Sequence, residues 1–163
     1  MIAAVATQSA GASHRMDRQA WMAVLARASA AELRDAFAAF GGVPAHQIVK
    51  APECGAIMIE ARAGGSGRRF NAGEATATKC VAQVGERLGC CVALGRDKEK
   101  ARLAAIVDAL LQDAAWRNIA HAERLFDHFI TPLAHAQSNR RAQMARKAAA
   151  TKVEFFTLVR GEG

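Results

Sequence analysis

Apolar residues recur every three or four positions toward both ends of the chain and in shorter, extended runs through its middle. In DRQAWMAVLARA, residues 17–28, Trp21, Val24, Leu25 and Ala28 fall at helical spacing, and Asp17 stands where an N-cap accepts an orphan amide. Ser29-Ala-Ala-Glu32 spells a capping box, so a second helix should follow and end at Gly41-Gly42. Between Val43 and Gly95 the period changes: HQIVKAP, GAIMIEARAG, RRFNAGEATATKCVAQV and LGCCVALG read as extended segments punctuated by Pro, Gly and Glu-Arg turns. They predict an antiparallel meander. Helical spacing returns at Asp97, where Leu103, Ile106, Val107, Leu110 and Leu111 form one stripe.

WRNIAHAERLFDHFI continues as helix and should be interrupted at Thr131-Pro132, because proline lacks an amide donor and disfavours helix at the residue before it. A last helix, Leu133 to about Thr151, is rich in Arg, Gln and Ala and short of large apolar residues. Such a helix buries little against its own domain and is expected to pack on another chain. The ending KVEFFTLVRGEG suits a strand, although Phe155 and Phe156 break strict alternation. The fold class expected is α+β, an antiparallel β-meander flanked by short N-terminal helices and by C-terminal helices.

These elements are read as a single domain over 17–163, preceded by a disordered extension over 1–16. That extension, MIAAVATQSAGASHRM, makes no convincing secretory signal, and Met16, directly before the first amphipathic segment, is a candidate start. With 163 residues the chain can bury about two-thirds of its unfolded surface in one core. No apolar run is long enough to cross a bilayer, so no membrane partner is expected. A net charge of +7 favours anionic partners such as nucleic acid, nucleotides or an acidic protein surface, without choosing among them. Cys54, Cys80, Cys90 and Cys91 have no C-x-x-C spacing, which argues against a zinc site or disulfide framework and for reduced thiols in a cytoplasm.

The stretch GGSGRRFNAGEATATKC, residues 64–80, looks at first like a phosphate loop. No Lys-Ser or Lys-Thr follows at P-loop spacing, and Phe70 stands where G-x-G-x-x-G needs its last glycine. With a strand on each side, Gly64, Gly65, Gly67 and Gly73 serve turn geometry first, and Arg69, Thr76 and Thr78 remain candidates for ligand or partner contact. At GRDK, Asp97 is read as the cap of the following helix with Arg96 and Lys98 solvated; the other reading is a nucleotide phosphate or acidic partner at Arg96, Asp97 and Lys98. His121, His128 and His135 recur every seven residues, about 10.5 Å of helical rise, too far apart to share one ion, and no metal is expected. Cys90 and Cys91 on a strand point to opposite faces, one of them buried and inert.

In order and over almost all of 17–161, the chain resembles the G-subunit family of the bacterial phosphonate carbon-phosphorus lyase system. The resemblance rests on RQAWMAVLARA, GGSGRRFNAGEATAT, LGCCVALGRDKEKARLAAIVDALLQ and KVEFFTLVRGE. The first sixteen residues and the cysteine pair in GCCVALG depart from the family pattern. The resemblance implies a cytoplasmic subunit of a core complex with the H, I and J proteins about a two-fold axis, associated with nucleotide-binding K and L proteins. The implied reaction displaces adenine from ATP by methylphosphonate, giving ribose 1-methylphosphonate 5-triphosphate. ATP is then a substrate of the complex, and no cofactor is expected on this chain alone.

The resemblance further implies that the I subunit carries this chemistry, with G, H and L required for productive transfer, and that the later radical step belongs to J. No catalytic residue is assigned to this chain, whose role is accessory or non-catalytic. Arg69, Arg96, Lys98 and Arg160 lie in the segments that carry the resemblance and are candidates for contact with the triphosphate or an acidic partner loop. An alternative, a basic RNA-binding α+β module without enzymatic activity, lacks the aromatic residues that base stacking needs, and nucleic acid is not expected as a partner. An independent cysteine enzyme lacks a low-pKa thiol beside a histidine.

Overall fold

The computed structural model describes residues 17–64, 66–117 and 119–151, without the side chains of 113–121. The first sixteen residues, Gly65, and the strand-like ending with Arg160 lie outside the described residues. Helix α1, Arg18–Arg27, starts on Asp17, whose carboxylate accepts from the Ala20 amide at 2.7 Å. Helix α2, Ala30–Phe40, opens with the capping box in full: the Glu32 amide donates to Ser29 Oγ at 3.2 Å and the Ser29 amide donates to Glu32 at 2.8 Å. Gly41 closes it in the left-handed region at φ +98°.

A three-stranded antiparallel sheet follows in the order β1-β2-β3, with β1 Gln47–Arg62, β2 Arg69–Val84 and β3 Arg87–Leu94. HQIVKAP and GAIMIEARAG are therefore not two segments separated by a turn at Pro52. They form one strand, and register shifts at Ile48/Lys50 and Lys50/Glu53 take up the proline, which an edge strand with bulges tolerates.

The strands differ in length, and that sets the shape. β3 has 8 residues and pairs only with Ala77–Val84 of β2, whereas β1 and β2 each run 16. The outer part of the β1–β2 hairpin, residues 56–62 against 69–76, therefore extends past β3 as a two-stranded ribbon, about 25 Å long.

Helix α3, Lys98–Arg117, crosses one face of the sheet antiparallel to β3, bringing Gln112 to Leu88 and Asp108 to Cys90. Gly89 makes this approach possible: a Cβ there would lie 2.1 Å from the Ala105 carbonyl and 2.3 Å from the Ala109 nitrogen. Helix α4, Ile119–Leu125, runs into a single π-helical stretch, Phe126–Ile130, and then into α5, Thr131–Ala150. The expected interruption at Thr131-Pro132 is not a break. The Thr131 amide donates to the Phe126 carbonyl five residues back, Thr131 keeps helical φ and ψ, and Pro132 falls in the first turn of α5, where a missing amide costs least.

The core lies between α3, the inner sheet face and the helices around them. Leu25, Leu33, Phe37, Leu103, Ile106, Val107, Leu111, Leu125, Phe129 and Ile130 are fully or almost fully buried. Phe129 packs against Phe37 with ring centroids 5.0 Å apart, and Trp21 meets Phe126 edge-on at 5.3 Å, each pair adding about 0.5–1.5 kcal/mol beyond burial. α5 packs on α1 and α2 through Leu133, Gln137 and Arg140, then runs exposed from Ser138 to Ala150.

Candidate functional site

The segment that leaves β3 for α3 is fixed to the root of the ribbon. The Gly95 amide donates to the Thr76 carbonyl at 2.9 Å, and Thr78 Oγ1 donates to the Gly95 carbonyl at 2.7 Å. Cys54 Sγ lies 3.4 Å from Thr78 Oγ1 and 4.0 Å from the Arg96 carbonyl. Asp97 caps α3, accepting from the Lys100 amide at 2.8 Å. The result is a rigid backbone turn with Arg96, Asp97 and Lys98 exposed at the start of a twenty-residue helix.

Five of the candidate residues, Thr76, Thr78, Arg96, Asp97 and Lys98, are thus brought to one corner of the molecule. Their parts differ. Thr78 is buried and its hydroxyl is committed to the turn, and the contact recorded for Thr76 is made by its backbone carbonyl. Arg69 is elsewhere: it pairs with Arg62 at the far end of the ribbon, about 25 Å along β2 from Ala77, and forms an exposed ion pair with Glu60 at 3.4 Å. Around it the ribbon tip is basic, with Arg62 donating to the Gly67 carbonyl at 3.3 Å.

The connection carrying Gly64 and Gly67 joins β1 to β2, and the Gly67 amide donates to the Ala63 carbonyl at 2.8 Å. Gly64 has φ +59° and Gly73, at the register shift in β2, has φ +132°. Gly67 is not in the left-handed region; its lack of a Cβ is required because one would sit 2.4 Å from the Ala63 carbonyl.

Sequence reasoning missed the most connected polar group. Asp108 is fully buried beside the apolar stripe of α3, where it accepts from Arg18 Nη2 at 2.8 Å, Trp21 Nε1 at 2.8 Å, the Cys90 amide at 2.9 Å and Gln112 Nε2 at 3.1 Å. That hydrogen bond to Asp108 raises the pKa of Arg18, against desolvation. The visible signal was an Asp directly following Ile106-Val107 on a buried helix.

Of the histidines, His128 Nε2 lies 2.8 Å from the Ala36 carbonyl and its ring packs tilted against Phe40 and edge-on to Phe129, a packing role. His135 is exposed, and the side chain of His121 lies outside those described. Among the described residues no cluster of His, Cys, Asp and Glu could hold a metal ion. Burial pushes the Cys91 thiol up to about 12 and raises Cys80 and Cys90 as well, which disfavours the nucleophilic thiolate at each.

What these features define is a basic α+β protein with two solvated projections, a β-ribbon and a cationic helix, and a clamped turn at the ribbon's root. The chain belongs to the family described as phosphonate metabolism protein PhnG, which it matches over residues 16–161. It is 40% identical over 163 residues to the alpha-D-ribose 1-methylphosphonate 5-triphosphate synthase subunit PhnG of Rhizobium meliloti (strain 1021), with 99% of each chain covered. No helix among the described residues is long and apolar enough to cross a membrane.

Proposed function

We propose that this chain is a subunit of a cytoplasmic synthase that transfers the ribose triphosphate moiety of ATP to methylphosphonate with release of adenine, in the catabolism of organic phosphonates. The observation that carries this reading is the 40% identity, end to end, with a chain named as a subunit of the enzyme making that triphosphate. Its partners are the H, I and J proteins of a core complex holding two copies of this chain about a two-fold axis, with the nucleotide-binding K and L proteins associated and L needed for productive transfer. Residues 17–163 act in it as one domain.

Within the assembly this subunit positions rather than reacts. Arg96 and Lys98, held on the clamped turn, contact either the triphosphate or an acidic loop of the I protein; Arg69 does the same from the ribbon tip, and Arg160 joins one of these groups. The exposed half of α5, with Arg141, Arg146 and Lys147, faces protein.

The test is reconstitution of the G, H, I and L proteins with ATP and methylphosphonate, measuring adenine release and phosphonate product separately. Arg96→Ala or Arg69→Ala should lower transfer about ten-fold or more with the complex still assembled, the cost of one charge-assisted contact at the transition state. Wild-type product yield from both variants would leave this subunit as scaffold alone.

A further inference from the structure

Helices α1 and α5 leave a cleft of about 230 Å³ between them, and no carboxylate lines it. Val24 and Ala134 form its apolar part; Arg27 of α1 and Gln137, Ser138 and Arg141 of α5 form its polar part. The four α5 residues stand three or four apart, so one face of the helix presents them together. A second cavity, of about 310 Å³, shares Ala134 and Ser138 with the first and adds His135 and Asn139.

Gln137 joins the two helices across the cleft. Its Nε2 donates to the Val24 carbonyl at 2.9 Å, and its Oε1 lies 3.5 Å from Arg27 Nη1. The side-chain acceptor in the cleft is thereby turned toward Arg27. What remains for a guest is donors: the other N–H groups of Arg27, the guanidinium of Arg141 and the hydroxyl of Ser138.

The charge of the cleft is also unanswered. Arg18, Arg34 and Arg140 each meet a carboxylate, at 2.8, 2.6 and 2.8 Å. Among the described residues Arg27 makes no ion pair, and Arg141 has neither an ion pair nor a hydrogen bond. Two guanidiniums on one cleft repel each other, and an anion between them turns that repulsion into attraction. Its chemistry follows from what the donors can saturate. A carboxylate brings two oxygens and one charge and matches one guanidinium fork. A phosphate-type group brings three or more oxygens and a charge near two, enough for both forks and the hydroxyl.

We propose that the cleft between α1 and α5 binds the dianionic phosphate-type group of a small molecule, with Arg27 and Arg141 holding its oxygens and Ser138 Oγ donating a further bond. The adjoining cavity, beside His135 and Asn139, gives a polar place for the body to which that group is attached. None of these residues belongs to the clamped turn or to the ribbon, and the proposal does not rest on the function given above. It adds an anion at the base of the exposed half of α5.

The full chain is titrated with inorganic phosphate, against sodium chloride of equal ionic strength and against acetate, and followed by NMR of the amides and arginine Nε groups and by thermal unfolding. Phosphate also stabilises folded proteins in general by exclusion from their surface, so the variants carry the comparison. Signals of Arg27, Ser138 and Arg141 should shift and saturate with a Kd of about 1 mM, and about 10 mM phosphate should raise Tm by about 3–5 °C. Arg27→Gln and Arg141→Gln should each weaken binding at least about ten-fold and lose most of that rise while remaining folded, since both side chains are exposed. Arg141→Lys, which keeps the charge and loses the fork, should also bind more weakly than the parent chain. An equal rise in the parent chain and both glutamine variants overturns the site, as do shifts that never saturate. Acetate bound as tightly as phosphate overturns the dianion and assigns the cleft to a carboxylate, such as an acidic side chain of a partner.

Discussion

Replacing Asp108 should destabilise the fold more than any single change at the exposed arginines, and the order of its variants tests why. The carboxylate is completely buried, while Arg18, its ion-pair partner, is 44% exposed in its side chain. In Asp108→Ala, Arg18 regains water and loses little. Trp21 Nε1 and the Cys90 amide do not, because both donate to Asp108 from buried or half-buried positions at 2.8 and 2.9 Å. Each buried donor left unsatisfied costs about 1–3 kcal/mol, so two such losses plus a small cavity come to about 3–5 kcal/mol. That is a large part of a domain stability of about 5–15 kcal/mol. Asp108→Asn keeps the shape and one acceptor but turns an NH2 group toward the donors, and should cost about 2–3 kcal/mol. Urea unfolding followed by circular dichroism gives both values, provided m is unchanged. Asp108→Asn within about 0.5 kcal/mol of the parent chain would refute the reasoning, since it would mean that charge and acceptor count at this site do not matter.

Gly89→Ala should cost about 2 kcal/mol or more, because its Cβ meets the backbone of α3, which cannot rotate away; a melting temperature unchanged within a degree would contradict the close approach. Maleimide labelling of the native chain near pH 8 should modify Cys54, which is exposed, quickly, Cys90 slowly and buried Cys80 and Cys91 not until unfolding; equal rates at all four would count against the packing of β2 and β3 on α3. Glu32 is held below its ordinary value of 4.5, first by the hydrogen bond from the Ser29 amide and then by Arg140. Its lowered folded pKa contributes stability that is complete above that ordinary value and is lost as pH falls through the folded one. Glu32→Gln should therefore flatten the stability profile in that acid window and leave the slope near neutrality unchanged; an identical acid slope in both chains would sink the assignment.

Where local rules govern, the sequence was enough. The Asp17 cap, the Ser29–Glu32 box and the Gly41 stop involve residues three or four apart, and each follows from which backbone groups a helix end leaves unpaired. The prolines misled because their effect depends on what surrounds them. Pro52 is carried by register shifts on an edge strand and Pro132 by a π-turn, and neither device is marked in the sequence beside it. Asp108 was invisible for another reason: Arg18 and Trp21 lie 90 and 87 residues away, so the charge reads as an exception to an apolar stripe until the fold supplies its partners. A shorter separation, 17 residues, still hid the clamp, in which Thr78 and Gly95 become neighbours only because β3 pairs with β2.

The ribbon also divides the chain between two kinds of selection. Of the residues that form the core cluster none falls between Phe37 and Cys80, and in that interval only Ile48 packs against it. Substitutions in 56–76 are therefore nearly silent in the folding of the body. Those in α3 or β3 are felt at once by the fold. Sequence can drift in one stretch of the gene while the scaffold is purged of change in another, and a ribbon grafted from a relative would sit on this body without repacking it.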